Sequence, residues 1–381
     1  MSRSVLVIAG EVSGDLHAGA LAAALRAQGA DLALWGIGGD RLRAEGAELL
    51  YDVRQTAVMG FVEVLRHLGF LRRVFRHVLG EVDRRRPSVA ILVDYPGFNL
   101  RLAPELRKRG VKVVYYVCPQ VWAWHRSRIG SMARTIDRLA VIFPFEVDAF
   151  RDTGLRVDYV GHPLVDETAA ALRAPPAALP WRGAGPRIAL LPGSRRQEIR
   201  RILPALAGAA GEIARRHPDA SFLLAAPSEP VADIARGVLA GRPGADRIPI
   251  VTGVTREVLR QARAAWVASG TATMEACLMG CPQAVVYRTH PLSYRIGKAL
   301  IRVPHIGMVN LVAGRGICPE LIQHEATPGW LAEAVDPLLG DTPQRAAMLA
   351  GYAEVRAKLG GGGAAERAAA IVLDELAGTT P

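Results

Sequence analysis

Only four cysteines occur in the 381 residues, Cys118, Cys277, Cys281 and Cys318. Cys277 and Cys281 lie four apart, but no second pair and no histidine cluster completes a ligand spacing, so no metal site is assigned. All four read as reduced core thiols of a cytoplasmic protein. Aromatic residues make up 6% of the chain. No zinc-finger spacing or RNP-like motif accompanies them, which sets nucleic acid aside as a partner. No apolar run is long enough to cross a bilayer, and no secretory signal precedes the first strand-like run. The Gly-rich segments Gly10–Asp15 and Gly36–Asp40 both lack the G-x-G-x-x-G spacing, which disfavours a dinucleotide-dependent hydride transfer. G-x-x-x-x-G-K-[ST] is missing, which disfavours a P-loop kinase, and Asp-x-Asp is missing, so a metal-held sugar nucleotide lacks its usual carboxylate pair. No cofactor is expected.

What is present is a basic chain of net charge +11 in which 50% of residues are hydrophobic. Such a surface favours anionic partners, phosphate-bearing substrates or an acidic membrane. The length suits two α/β domains. Buried-strand runs at Ser4–Ala9, Val89–Val93, Val111–Val117 and Leu139–Phe143 alternate with helical patterns. Gly10–Asp15 reads as a turn and His17–Ala27 as a helix. A second series runs through Arg187–Leu191, Ser221–Ala225, Ile248–Val251, Ala264–Ala268 and Gln283–Val286. Alternation of this kind predicts two parallel sheets covered by helices, with ligands beyond the carboxyl ends of the strands. The expected division is residues 1–168, an Ala-, Pro- and Gly-rich linker at 169–186, residues 187–340, and C-terminal helices over 341–381 that pack back on the first domain.

Ser269-Gly270-Thr271-Ala272-Thr273-Met274-Glu275 follows an apolar run and opens a helical one. Small hydroxyl residues and a glycine at a helix start expose backbone N–H groups, and those with the helix dipole favour a phosphate. Glu275, one turn in, is placed to accept hydroxyl hydrogen bonds from a sugar. Ser269 also reads as a plain N-cap. Leu191-Pro192-Gly193-Ser194-Arg195 repeats the strand–turn–helix arrangement, with Arg195 offering a planar fork to a diphosphate. Asp94, in Val93-Asp94-Tyr95-Pro96-Gly97-Phe98-Asn99, stands at a strand's carboxyl end, as a turn-former or as a general base. Asn310, before Gly314 and Arg315, reads as a local turn hydrogen-bonder or a ligand contact.

From Ala57 to Val82, Phe61, Val64, Leu65, Leu68, Leu71, Phe75, Val78 and Leu79 share one helical stripe, the pattern of a core helix. Val62 and Phe70 are read as lying off that stripe among Arg66, Arg72, Arg73, Arg76 and His77. Apolar groups beside cations suit an interfacial helix on an anionic membrane surface, with Phe61, Leu65, Leu68, Phe70, Arg72, Arg73 and Arg76 docking.

These motifs, in this order, resemble the lipid A disaccharide synthase family. The matching segments are Ala9–Asp15, Ala57–Val64, Asp94–Asn99, Pro119–Trp124, Leu191–Arg195, Ser269–Thr273 and Asn310–Arg315, spanning residue 9 to about 320. Each is weak alone, and their combination is specific. The resemblance implies the GT-B fold, two Rossmann-like domains with parallel sheets facing across a cleft. It implies a peripheral membrane enzyme on the cytoplasmic side of the inner membrane of Gram-negative bacteria. It implies an inverting transfer joining UDP-2,3-diacylglucosamine to 2,3-diacylglucosamine 1-phosphate, giving a β-1,6-linked disaccharide 1-phosphate and UDP. It puts the general base on Asp94. UDP-sugar contacts fall on Gly193, Ser194, Arg195, Ser269, Gly270, Thr271, Thr273, Glu275 and Asn310, and the acceptor side on Ser13, Gly14 and Asp15. Gly97 stands where many relatives carry a second acid, and Cys118 and His125 depart from the usual Ser and Arg around the Trp122–Trp124 pair. A UDP-N-acetylglucosamine 2-epimerase or the lipid II-forming transferase is the alternative within the fold, and a non-catalytic binder of anionic lipid is the alternative outside it. A homodimer is left open.

Overall fold

The computed structural model describes residues 3–56, 61–124, 126–291, 294, 295, 298 and 303–378, and of 61–68, 123, 124 and 126 it describes the backbone alone. The chain divides into two compact units, Met1–Pro163 with Gly361–Pro381, and Leu164–Gly360.

The first unit carries seven parallel strands: β1 (Arg3–Ala9), β2 (Leu32–Gly38), β3 (Glu48–Asp52), β4 (Val89–Val93), β5 (Lys112–Tyr116), β6 (Arg138–Val141) and β7 (Arg156–Tyr159). Their order is β3-β2-β1-β4-β5-β6-β7, so the winding reverses between β1 and β4. β4 is Val-Ala-Ile-Leu-Val and buried throughout, as a strand covered on both faces must be. Helix Ala364–Ala377 packs on helix Val12–Ala27 and reaches β4, β5 and β6. Its end is tied down by Arg138 to Asp374 at 2.7 Å and by Arg156 to the buried Glu375. That junction differs from the expected boundary at 341. Helix Pro343–Leu359 belongs to the second unit, and the chain turns at Gly360, whose φ is +70°.

The second unit repeats the plan with β8 (Arg187–Leu191), β9 (Ser221–Ala226), β10 (Ile250–Thr252), β11 (Ala264–Ala268), β12 (Gln283–Tyr287) and β13 (Glu320–Ile322), ordered β10-β9-β8-β11-β12-β13. Its reversal falls between β8 and β11. Trp266 of β11 is fully buried, and its indole N–H donates to the Leu331 carbonyl at 2.8 Å.

β2, β3, β7 and β13 have no counterpart in the expected strands. β2 is masked by its glycines. Gly36 has φ +146°, and a Cβ there would lie 2.0 Å from the Val7 carbonyl oxygen, so glycine is what lets β2 close on β1. All four cysteines are buried and free. Among the described residues no helix is long and apolar enough to cross a membrane.

Helix Phe61–Arg85 uses its apolar stripe as core: Val74, Val78 and Val82 are buried, and Phe75 and Leu79 pack on the same cluster. Phe70 corrects the expectation that it stands apart with the cations. It packs against that core and meets Tyr51 edge-on, ring centroids 6.0 Å apart. Residues 70, 74 and 78 are spaced i, i+4, i+8, so the helical period carries Phe70 onto the buried face. Arg72, Arg73 and Arg76 are exposed. Ala57–Gly60 and the side chains of Phe61, Leu65 and Leu68 lie outside the described residues, as does His125. Phe70→Ala is expected to lower stability by about 1–3 kcal/mol, the cost of a half-buried aromatic, measured as a fall in Tm. An unchanged Tm would return Phe70 to the surface.

Candidate active site

In the second unit, the turns leaving β8 and β11 lie side by side, because those strands pair directly. They line a cavity of about 320 Å³ formed by Gly193, Ser194, Arg195, Ser269, Gly270, Thr271 and Glu275 with Glu198 and Thr255. Two helix N-termini open into it, those of Arg196–Arg216 and Thr271–Met279, whose N-caps are Arg195 and Gly270. Gly270 makes no side-chain cap and has φ +152°, a conformation open to glycine. First-turn N–H groups there remain available to an anion.

Arg195 and Glu275 each have a definite partner. Arg195 is mostly exposed, and its Nη1 lies 3.1 Å from Glu198 Oε1. Such an exposed pair contributes little and exchanges readily for a better anion. Glu198 also accepts the Arg195 backbone N–H at 3.3 Å and lies over Gly193, where a Cβ would come within 2.5 Å of its carboxylate. Glu275 is a half-buried carboxyl raised by burial, an effect opposed by Arg256, whose Nε lies 3.0 Å away. Arg256 also pairs with Glu167 on helix Pro163–Arg173. Neither Glu198 nor Arg256 was among the expected contacts. Glu198 carried a signal, as the N3 acid of a capping box. Arg256 carried none, since an arginine at the start of a short helix is ordinary.

Ser269 keeps its place at the cavity, whereas Thr273 and Asn310 require correction. Ser269 lines the cavity, but its hydroxyl donates to the Ile306 carbonyl at 2.9 Å. Thr273 is fully buried, and its hydroxyl returns to the Gly270 carbonyl at 2.8 Å. Asn310 is fully buried. Its Nδ2 donates to Cys318 O at 2.9 Å and Glu320 Oε1 at 2.7 Å, and its Oδ1 accepts from the Ile317 and Cys318 amides at 2.9 Å. Glu320 in turn accepts from the Ile306 and Gly307 amides at 3.0 Å. Asn310 and Glu320 thus brace residues 306–318 against β13, and neither lines the cavity.

In the first unit, the corresponding point lies between β1 and β4. Helix Val12–Ala27 begins at Val12, earlier than expected, so Ser13, Gly14 and Asp15 are its first turn. Ser13 is exposed and Gly14 is buried. Asp15 is buried and turned inward. Its Oδ1 accepts from the Gly39 and Leu42 amides at 2.6 and 3.1 Å, and its Oδ2 from Arg41 at 3.0 Å. It caps helix Asp40–Ala44 from across the fold, which corrects its assignment to the acceptor side. Asp15→Ala is expected to cost about 2–3 kcal/mol, because three amides lose a charged acceptor, whereas Ser13→Ala should leave Tm unchanged. Equal melting of the two variants would contradict this division.

Asp94 follows β4 with φ +45°, and Tyr95 follows with φ +50°. Two successive non-glycine residues in the left-handed region are strained and need external support. The Asp94 carbonyl accepts from the Tyr115 hydroxyl at 2.5 Å and from Asn99 Nδ2 at 2.7 Å. The Tyr95 ring lies over Gly10, where a Cβ would sit 2.3 Å from it, and its hydroxyl donates to Thr56 O at 3.2 Å. Burial pushes the Asp94 carboxyl up to about 6, and the nearby charge of Glu11 adds to the rise. His17, in helix Val12–Ala27, is pushed down to about 4 by burial and is neutral at pH 7. The result is a carboxylate of raised basicity on a strand end held by bonds to its own backbone.

Two α/β units with this repeated strand order define the GT-B class, that of nucleotide-sugar glycosyltransferases and UDP-sugar epimerases. A calicheamicin glycosyltransferase matches at a TM-score of 0.61 and 17% identity, covering 100% of both chains. A UDP-GlcNAc 2-epimerase from Neisseria meningitidis, bound to UDP-GlcNAc, matches at 0.59 and 11%, covering 99% of this chain and 100% of its own. At such identities the likeness shows the fold alone.

Sequence carries the assignment further. The lipid-A-disaccharide synthetase family model matches residues 5–372. A lipid-A-disaccharide synthase of Myxococcus xanthus is 44% identical, covering 98% of this chain and 97% of its own. One from Geobacter sulfurreducens is 41% identical, covering 98% of each. The chain belongs to the lipid-A-disaccharide synthetase family and is a UDP-sugar-dependent glycosyltransferase.

Proposed function

We propose that this enzyme transfers 2,3-diacylglucosamine from UDP to the 6-hydroxyl of 2,3-diacylglucosamine 1-phosphate, with inversion, releasing the β-1,6-linked disaccharide 1-phosphate and UDP. The observation that carries the reading is Asp94, a carboxyl pushed up to about 6 at the strand reversal of the first unit. A base must be ionised at working pH yet basic enough to accept a hydroxyl proton, and a value near 6 meets both needs. UDP is assigned to the cavity of the second unit. There Arg195 and the amides around Gly193, Gly270 and Thr271 would stabilise charge gathering on the departing diphosphate. Glu275, paired with Arg256, would accept from a sugar hydroxyl. In the displacement the acceptor oxygen bonds to the anomeric carbon, the bond to UDP breaks with its electron pair, and Asp94 receives the proton. The deciding experiment is turnover of the two lipid substrates by wild type and Asp94→Asn. Product from the wild type and none from the variant supports the reading, and epimerised UDP-sugar without transfer would overturn it.

A peripheral position at the cytoplasmic face of an anionic membrane belongs to this proposal. Acyl chains resist extraction, since each CH₂ exposed costs about 0.8 kcal/mol. The exposed Arg72, Arg73 and Arg76 are the described part of the docking surface. Their triple change to Gln is expected to reduce flotation with phosphatidylglycerol vesicles at low salt by about tenfold, each contact contributing about 1 kcal/mol before screening. Flotation equal to wild type would remove them from that surface.

The donor side is expected to work without a divalent cation. The basis is the absence of Asp-x-Asp and the presence of Arg195 and two helix N-termini in the cavity. Excess EDTA should leave the rate within about twofold, a change below 0.5 kcal/mol in the barrier. Loss of activity restored by Mg²⁺ would overturn this.

A further inference from the structure

A second cavity, of about 220 Å³, lies in the first unit and plays no part in the chemistry above. Pro96, Gly97, Arg101, Arg128, Ser131 and Thr135 line it, with no acid among its lining residues. Several arginines around this sheet have acidic partners: Arg107 pairs with Asp137, Arg109 with Asp83 and Glu105, and Arg138 with Asp158. Arg101 and Arg128 have no acidic partner among the described residues, yet both border this one cavity. Gly97 leaves its wall open, since a Cβ there would meet nothing within 4 Å. Two exposed arginines bordering one cavity that no acid lines present positive charge to it, and the best complement is a phosphate dianion.

The cavity is also tied to Asp94. Gly97 is three residues along the chain, so its Cα is at most about 11 Å from that of Asp94. The Arg128 charge acts on the Tyr115 hydroxyl, which donates to the Asp94 carbonyl at 2.5 Å. A hexose phosphorylated at its anomeric carbon separates that phosphate from its 6-hydroxyl by one ring. We propose that the cavity between Arg101 and Arg128 is a phosphate-monoester subsite that holds the acceptor's anomeric phosphate and so delivers its hydroxyl to Asp94. This rests on the acceptor assigned under the proposed function. Arg101 and Arg128 are then specificity-determining residues, and the enzyme selects a phosphorylated acceptor through them.

The test uses the full-length enzyme, with Arg101→Gln, Arg128→Gln and the double variant. Two acceptors are compared, 2,3-diacylglucosamine 1-phosphate and the same lipid without phosphate. Wild type should prefer the phosphorylated acceptor, and each variant should raise its KM about tenfold, so that the preference collapses in the double variant. UDP affinity, read by calorimetry, should be unchanged. A preference retained in the double variant overturns the subsite. Soluble glucosamine 1-phosphate, titrated by calorimetry against glucosamine, gives a readout without turnover, and equal binding by wild type and the double variant overturns it as well. If the arginines serve a lipid headgroup instead, the double variant loses flotation with phosphatidylglycerol vesicles but keeps acceptor preference, which also overturns the proposal. Wild type that binds UDP and glucosamine 1-phosphate but transfers to neither acceptor would refute the proposed reaction and leave the subsite standing.

Discussion

Asp94→Asn is expected to lower kcat/KM by about 10²–10⁴-fold, leave UDP affinity unchanged, and stabilise the fold at pH 8. The amide keeps the shape and the backbone bonds to Tyr115 and Asn99, but it cannot take a proton. The stabilisation follows from the direction of the shift. Burial, with Glu11 beside it, raises the folded carboxyl to about 6, above its value in an unfolded chain. Between those values the native state holds a proton that the unfolded state has released, so stability falls as pH rises through that window. At pH 8 the wild type bears the full penalty of a buried charge and the Asn variant does not. The gain is about 1–3 kcal/mol, a Tm rise of several degrees. The wild-type rate should climb as pH rises through about 6 and then level off, because the base works in its ionised form. A variant that is inactive and less stable than wild type at pH 8 would make Asp94 a structural carboxylate. A variant that is stable and active would remove it from the reaction.

The sheet centres were legible because a strand buried on both faces has little choice of residue. Val89–Val93 and Ala264–Ala268 were read with the bounds the structure gives them. The edges were less legible. β3 and β7 are short and half-buried, and β2 hides behind Gly36 and Gly38, glycines of no strand propensity that are close-packed in the fold. The strand-end turns at Gly193 and Gly270 could be placed in sequence because a helix start after a strand is a local event. The separation of ligand-facing from bracing polar residues could not. Asn310 and Asp15 look like site residues until their partners are known, and those partners lie 7 to 27 positions away. Arg256 is the converse case, an arginine of no distinction in sequence that reaches Glu275 19 positions on and Glu167 89 positions back. Phe70 was misread for a local reason, a drift in helical phase that the i+4 step to Val74 and Val78 corrects.

Arg195→Ala and Glu275→Gln are expected to weaken UDP binding by different amounts and with different salt dependence. The exposed Arg195 pairs with the half-buried Glu198, which the diphosphate would replace. Its loss removes charge-assisted bonds worth about 1.5–3 kcal/mol, or roughly 10–100-fold in Kd. The charge is exposed before the ligand arrives, so wild-type affinity should fall with added salt and the Ala variant should fall less steeply. Glu275 sits deeper, raised by burial and restrained by Arg256. The Gln variant keeps its length and can still accept one hydrogen bond, so its loss should be smaller, about 3–10-fold. Removing the Glu275 charge also leaves Arg256 with Glu167 as its remaining carboxylate, which keeps the guanidinium compensated and the unit folded. Calorimetry of UDP at two salt concentrations, with melting curves as the control, reads each of these outcomes. Unchanged affinity in both variants would place the nucleotide outside this cavity. A larger loss for Glu275→Gln than for Arg195→Ala would make the sugar contact, rather than the diphosphate, the anchor of the donor.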